Sequence, residues 1–392
     1  MNKTLWPSVW IAFFAGCIAA FQIGKAFASL ALIIDELGLS LVQAGSLLSL
    51  FTIIAAVAGA GFGLLADRVG HLNMVLGGLA VSAMGSFLGA AADSINLLML
   101  SRLVEGFGFI ISIVALPSLI SRSATDKDRP LVMGLWGAFM PTGIGLSMLI
   151  TPLLLDLHGW RGLWNDIAMI MLLWGFILFL TFRGTRKKHP VPTQSLSFIA
   201  SILRIGPLLV VAGFICYSTL YQSLTAFLPT ILVKDYGIAL EKAAHFGALV
   251  VVGNIIGNLS AGWLIGRGFA PWKVISFAFV AMLICASIVF ATLSNPAIKV
   301  IAGFLFSACG GLFPGTAFVL ASRFSPSPSH MALMTGLLLQ GAGIGQSLGP
   351  MMVSSVVEYS ESWNYAILVV LLMACIGLIS AWQLHKTKEA SV

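Results

Sequence analysis

Three residues of this sequence carry full charges inside stretches that are otherwise apolar: Lys25, Arg102 and Glu105. A charge in such surroundings is expensive, so it is paired, functional or both. Arg102 and Glu105 are three residues apart, which puts them on one face of a helix. Two cations and one carboxylate leave one spare positive charge, a balance suited to holding a monoanion. Glu105 becomes a proton acceptor if an arriving anion draws the two cations away from it. Gln22, one turn before Lys25, joins these residues as a candidate substrate contact.

The second half of the chain has no matching charge in its apolar stretches. It offers polar and aromatic groups instead: Tyr217, Tyr221 and Gln222, then Asn254 and Asn258, then Gln340. Tyr217 and Tyr221 are four apart, as are Asn254 and Asn258, so each pair forms a stripe on a helix. Taken singly, each reads as an interhelical hydrogen bond; taken together, they read as an uncharged substrate wall facing the cationic one. The sequence carries no Ser/His/Asp set, no metal-spaced His/Cys cluster and no Walker loop. No enzyme activity, no cofactor and no metal is therefore expected. The five cysteines form no CxxC pair and read as small packing residues.

Hydrophobic residues make up 59% of the chain and charged residues 9%, and the mean hydropathy is +1.01. A soluble domain has about a quarter of its residues charged. Most of this chain is therefore expected to lie in lipid, where backbone groups must be satisfied internally. Long apolar runs without strict alternation predict helices. They fall near 7–34, 43–66, 72–92, 96–121, 130–155, 162–181, 206–232, 240–265, 272–293, 296–321, 331–357 and 363–382. Lys25 is nine residues from the end of the first run and Glu105 nine from the start of the fourth. Both then sit roughly 13–14 Å below the same surface.

The net charge of +7 does not mark a nucleic-acid binder, because the basic residues lie in short loops. With both termini inside, fifteen of the 21 basic residues fall in inner loops, and four in outer ones: Arg161, Lys234, Lys242 and Lys299. That bias predicts cytoplasmic termini. The segment from Arg183 to Pro192 is a basic, Pro-containing linker. It divides the chain into residues 1–181, a linker 182–205, and residues 206–392.

The two halves repeat each other. Gly143-Ile144-Gly145 and Ser147 recur as Gly343-Ile344-Gly345 and Ser347. Gly63-Leu64-Leu65-Ala66-Asp67-Arg68-Val69-Gly70 has a worn echo in Gly262-Trp263-Leu264-Ile265-Gly266-Arg267-Gly268. A shared offset of 199 or 200 residues predicts one membrane bundle written twice, a pattern of transporters that rock around a site between their halves.

The first copy of that loop, with His71 after it, resembles the loop motif between helices 2 and 3 of the major facilitator superfamily. Leu100-Ser101-Arg102-Leu103-Val104-Glu105-Gly106-Phe107-Gly108 is similar to the superfamily's helix 4 motif, with Glu105 where that motif carries Gln. The resemblance implies an all-α membrane protein with twelve transmembrane helices in two pseudo-symmetric six-helix bundles. Helices 1 and 4 would line a central cavity, bringing Lys25, Arg102 and Glu105 to it. Within the superfamily, Pro130-Leu131-Val132-Met133-Gly134-Leu135-Trp136 and Gly310-Gly311-Leu312-Phe313-Pro314 resemble the bacterial cyanate and nitroimidazole transporter branch. Gly63, Asp67, Arg68 and Gly70 read as a gate, with Asp67 accepting from a helix start and Arg68 bridging to acids or carbonyls.

The expected function is a secondary transporter of a small anion, with protons as partners, working as a monomer in a bacterial inner membrane. The alternative is a proton-driven multidrug or metabolite efflux antiporter. Lys25 speaks against cationic drugs.

Overall fold

The computed structural model describes residues 3–125, 128, 132, 135–184, 204–291, 295–324 and 328–387. Among them every regular element is a helix. The first four are α1 (Trp6–Leu37), α2 (Leu41–Val69), α3 (His71–Ala90) and α4 (Ile95–Arg122). The run Phe139–Phe182 is two helices, α5 (139–158) and α6 (160–182). They are broken at Gly159, whose φ of 65° and ψ of −178° admit no side chain without strain. The second half holds α7 (Ile205–Lys234), α8 (Leu240–Gly266) and α9 (Pro271–Phe290). Then come α10a (Pro296–Gly310), α10b (Leu312–Phe324), α11 (Pro328–Ser360) and, after a 3-10 turn at Trp363–Tyr365, α12 (Ala366–Lys386).

Counting α10a and α10b as one span, the described residues contain the twelve long helices that hydropathy predicts. The fifth is already helical at Val132 and at 135–137, with a turn at Ala138 before the run from Phe139. One detail differs. The tenth is interrupted at Gly311, where the backbone lies against the carbonyl of Asn254 in α8. The expected linker lies largely in residues 185–203, outside the described residues, as do parts of the segment around Pro130.

Leu153, Leu157, Met169, Leu173 and Phe176 of α5 and α6 are exposed. An outward face of this kind is stable only against hydrocarbon. Inside the first half, α1 packs on α5 and α6, α3 on α4 and α6, and α2 on α4. Inside the second, α7 packs on α11 and α12, and α10a on α8 and α9. The halves meet chiefly along α2 with α11 and α5 with α8.

The repeated Gly-Ile-Gly motif serves both kinds of contact. Gly143 lies on Cys17 of α1 in its own half, and Gly145 on Val252 of α8 in the other. In the second copy the order is reversed: Gly343 lies on Ala55 and Ala56 of α2, and Gly345 on Ile215 of α7. Two residues along a helix are about 200° apart, so one motif serves two opposite neighbours.

Candidate functional site

The charged cluster assembles from four helices. On α1, Gln22 and Lys25 share a face. On α4, Arg102 and Glu105 do so. α3 contributes Ser82 and Ser86, and α6 contributes Trp164 and Met171. Lys25, Arg102 and Glu105 are 0%, 1% and 0% exposed, so water does not reach them.

Glu105 divides itself between both cations. Its Oε1 accepts from Lys25 Nζ at 2.8 Å, and its Oε2 accepts from Arg102 Nη1. Lys25 also donates to Ser86 Oγ at 2.5 Å, and its ammonium lies 4.2 Å from the centroid of the Trp164 ring. The Ser86 hydroxyl has two acceptors in range, Glu105 Oε1 at 2.9 Å and Gln22 Oε1 at 3.2 Å. Arg102 reaches two helices beyond its own. It donates to Gln22 O of α1 at 3.0 Å and to Leu47 O of α2 at 3.4 Å, and it stacks on Phe51 at 4.5 Å. Gln22 Nε2 donates to Ser82 O at 3.4 Å and to Met171 Sδ at 2.9 Å. Trp164 Nε1–H has no hydrogen-bond partner among the described residues.

The structure thus brings Gln22, Lys25, Arg102 and Glu105 together. The side-chain partners of Lys25 belong to α3, α4 and α6, within the first half. Ser82, Ser86, Phe51 and Trp164 were not singled out in the sequence. The signal for the serines was their spacing of four in an apolar helix.

The second-half residues form a network of their own. Asn254 Nδ2 donates to Tyr217 Oη at 3.0 Å and to Ser307 O at 3.1 Å. Asn258 Nδ2 donates to Asn254 Oδ1 at 2.8 Å. Tyr217 stacks on Tyr221 and on Phe313, and Tyr221 donates to Val251 O at 3.4 Å. Gln222 is buried and has no hydrogen-bond partner among the described residues. Gln340 reaches Val57 O of α2 at 3.5 Å. No hydrogen bond among the described residues joins this network to the cluster around Glu105. Of the expected gate, Gly63, Asp67 and Arg68 fall in the last turns of α2, and the side chains of Asp67 and Arg68 lie outside what the structure describes. Gly70 has φ 94° and forms the tight turn into α3.

The Major Facilitator Superfamily model matches residues 12–327. The chain belongs to that superfamily. Among Major Facilitator relatives it is similar to the 4-hydroxybenzoate transporter PcaK of Pseudomonas putida, at 23% identity over 88% of this chain and 85% of that one. It is also 23% identical to the probable nitrate transporter NarT of Staphylococcus carnosus, over 95% of each chain. Among solved Major Facilitator structures, a bacterial homologue of the human lysosomal transporter Spinster, inward-facing and occupied, matches with a TM-score of 0.81. That match has 15% identity and covers 97% of this chain and 96% of the other.

The halves of this Major Facilitator chain are also tied at the face opposite the termini. Asp35 near the end of α1 forms an ion pair with Lys234 at the end of α7. Glu358 Oε2 of α11 accepts from Val42 N in the first turn of α2, at 2.7 Å. Asp35 and Lys234 are 199 positions apart, the offset of the repeat. Each precedes a left-handed glycine by three residues, Gly38 at φ 62° and Gly237 at φ 64°. Equivalent residues that touch lie on the pseudo-twofold axis.

Asp35→Lys is expected to loosen this face, and Asp35→Lys with Lys234→Asp to restore it. The side chains are 63% and 36% exposed, so solvent screening holds the effect to about 1 kcal/mol, or roughly fivefold in the open population. The labelling rate of a thiol at Thr230, near the same end of α7, is the measurement. Equal rates in the single and double variants would contradict the latch.

Proposed function

We propose that this secondary transporter moves a small monoanion together with a proton across the bacterial inner membrane, with both termini cytoplasmic. The observation that carries the reading is the buried set of two cations against one carboxylate. The names of the two relatives support it: 4-hydroxybenzoate and nitrate are both monoanions. The narrower resemblance to the cyanate and nitroimidazole branch is compatible with the same chemistry.

The coupling follows from charge conservation. In the closed cluster Glu105 occupies both cations. For Lys25 and Arg102 to take an anion, Glu105 must give them up. A carboxylate left unpaired in this dry setting is costly, so it binds a proton. The cluster then carries the same net charge as before, and anion plus proton cross as a neutral pair. Gln22 and Ser86 hold the positions of the exchanging groups. Tyr217, Tyr221, Gln222, Asn254, Asn258 and Gln340 supply uncharged contacts from the other half as the halves rock. Gly63, Asp67, Arg68 and Gly70 form the cytoplasmic gate in this reading.

The test is uptake of labelled 4-hydroxybenzoate or nitrate into proteoliposomes under an acid-outside gradient. Lys25→Ala and Arg102→Ala are each expected to slow uptake at least about tenfold, the equivalent of one lost charge-assisted contact. Each leaves the other cation paired with Glu105, so both variants fold. Arg102→Lys fails as well, because an ammonium cannot reproduce the guanidinium's simultaneous contacts to Gln22 O, Leu47 O and Glu105. Normal uptake by the Lys25→Ala, Arg102→Ala double variant would refute the anion site.

A further inference from the structure

We infer a binding site for the phosphate of an anionic phospholipid at the turn between α8 and α9. A cavity of about 240 Å³ is lined there by Arg267, Gly268, Phe269, Ala270 and Lys273. This is the second copy of the repeated loop motif. In the aligned copies Gly266 stands where the first has Asp67, so Arg267 lost the acid that accompanies Arg68. No described carboxylate replaces it. The described carboxylates of the second half, Asp235, Glu241, Glu358 and Glu361, all lie at the opposite ends of their helices or in the loops there. Arg267 and Lys273 form no ion pair with a described carboxylate.

The site sits at the depth of lipid headgroups. Trp263 and Trp382 are 55% and 54% exposed on outward faces of α8 and α12, as indoles at a membrane boundary are. Trp272 of α9 packs on His385 of α12, tying these helix ends together. The Arg267 guanidinium lies 4.0 Å above the Trp263 ring. That contact occupies its face and leaves the N–H edges free for a planar two-pronged grip on phosphate. Lys386, over Trp382 at 3.5 Å, adds a further cation on the same side. Phe269, exposed and apolar, borders the cavity where an acyl chain would leave it. The first turn of α9 has no side-chain cap, so the positive end of its dipole is not offset there. Lipid chemistry fits better than a soluble phosphate because aromatic and aliphatic surface surrounds the cations.

Native mass spectrometry of the full chain tests this, with phosphatidylglycerol, phosphatidylcholine of the same acyl chains, and inorganic phosphate as probes. Phosphatidylglycerol is expected to stay bound when phosphatidylcholine has dissociated. R267Q/K273Q is expected to weaken its retention roughly thirtyfold, as the loss of two surface cations predicts. R267Q alone loses part of that, and K242Q, on the opposite face, loses none. Size-exclusion profiles of the variants establish that they are folded. Equal retention of both lipids, full retention by R267Q/K273Q, or displacement by millimolar inorganic phosphate would each overturn the assignment, the last by showing a free-phosphate site. The outcome is independent of what the transporter carries.

Discussion

Glu105→Ala is expected to remove most of the folded protein, at a cost of about 3–5 kcal/mol. The side chain is fully buried, and it accepts from Lys25, Arg102 and Ser86 at once. Its removal leaves two cations in a dry space with no counter-charge. Neither has a nearer acid. Lys25 would keep only Ser86 and the face of Trp164, and Arg102 only backbone carbonyls and Phe51. Lys25→Ala should be far milder, because the Arg102–Glu105 pair survives it. Glu105→Ala combined with Lys25→Ala should recover part of the loss, since one stranded charge goes with its partner. Yield and thermal unfolding in detergent measure all three. Equal stability of Glu105→Ala and Lys25→Ala would show that the carboxylate is not the centre of the cluster.

Gly106→Val, one residue further along α4, is expected to be nearly as damaging for a steric reason. A Cβ at Gly106 would overlap the backbone carbonyl of Phe51 in α2, and backbone cannot swing aside as a side chain can. The two helices would have to separate, at a cost of about 3 kcal/mol or more. The same separation pulls Leu47 O and the Phe51 ring from Arg102. Gly77→Ala on α3 has the opposite sign. Nothing lies within 4 Å of a Cβ there, so a helix-interior glycine becomes alanine with a gain of roughly 0.5–1 kcal/mol. Thermal unfolding that ranks Gly106→Val at or above wild type would mean that α2 and α4 do not meet as described.

The cluster was legible in the sequence because charge is rare in these stretches: Lys25 and Glu105 could be set at one depth by counting residues from the span ends. The partners were not. Serine is common in apolar helices, and nothing in a single sequence says that Ser86 faces Lys25, or that Trp164 of α6 lies over its ammonium. Which neighbour each helix faces is a tertiary property. For the same reason the Gly-Ile-Gly repeat announced a duplication but not that Gly143 packs within its own half while Gly343 packs across to the other. The break at Gly311 escaped because hydropathy is continuous through it. The close approach of Gly311 to the backbone of Asn254, on another helix, escaped with it.

The ion pair between Asp35 and Lys234 bears on assembly as well as on opening. Two copies of the first half, joined in the same way, would set aspartate against aspartate at that spot. Two copies of the second would set lysine against lysine. Only the mixed pairing brings opposite charges together there. At this spot the contact therefore favours the pairing of unlike halves over that of like ones. The duplication, once its halves had diverged at these positions, ceased to be interchangeable.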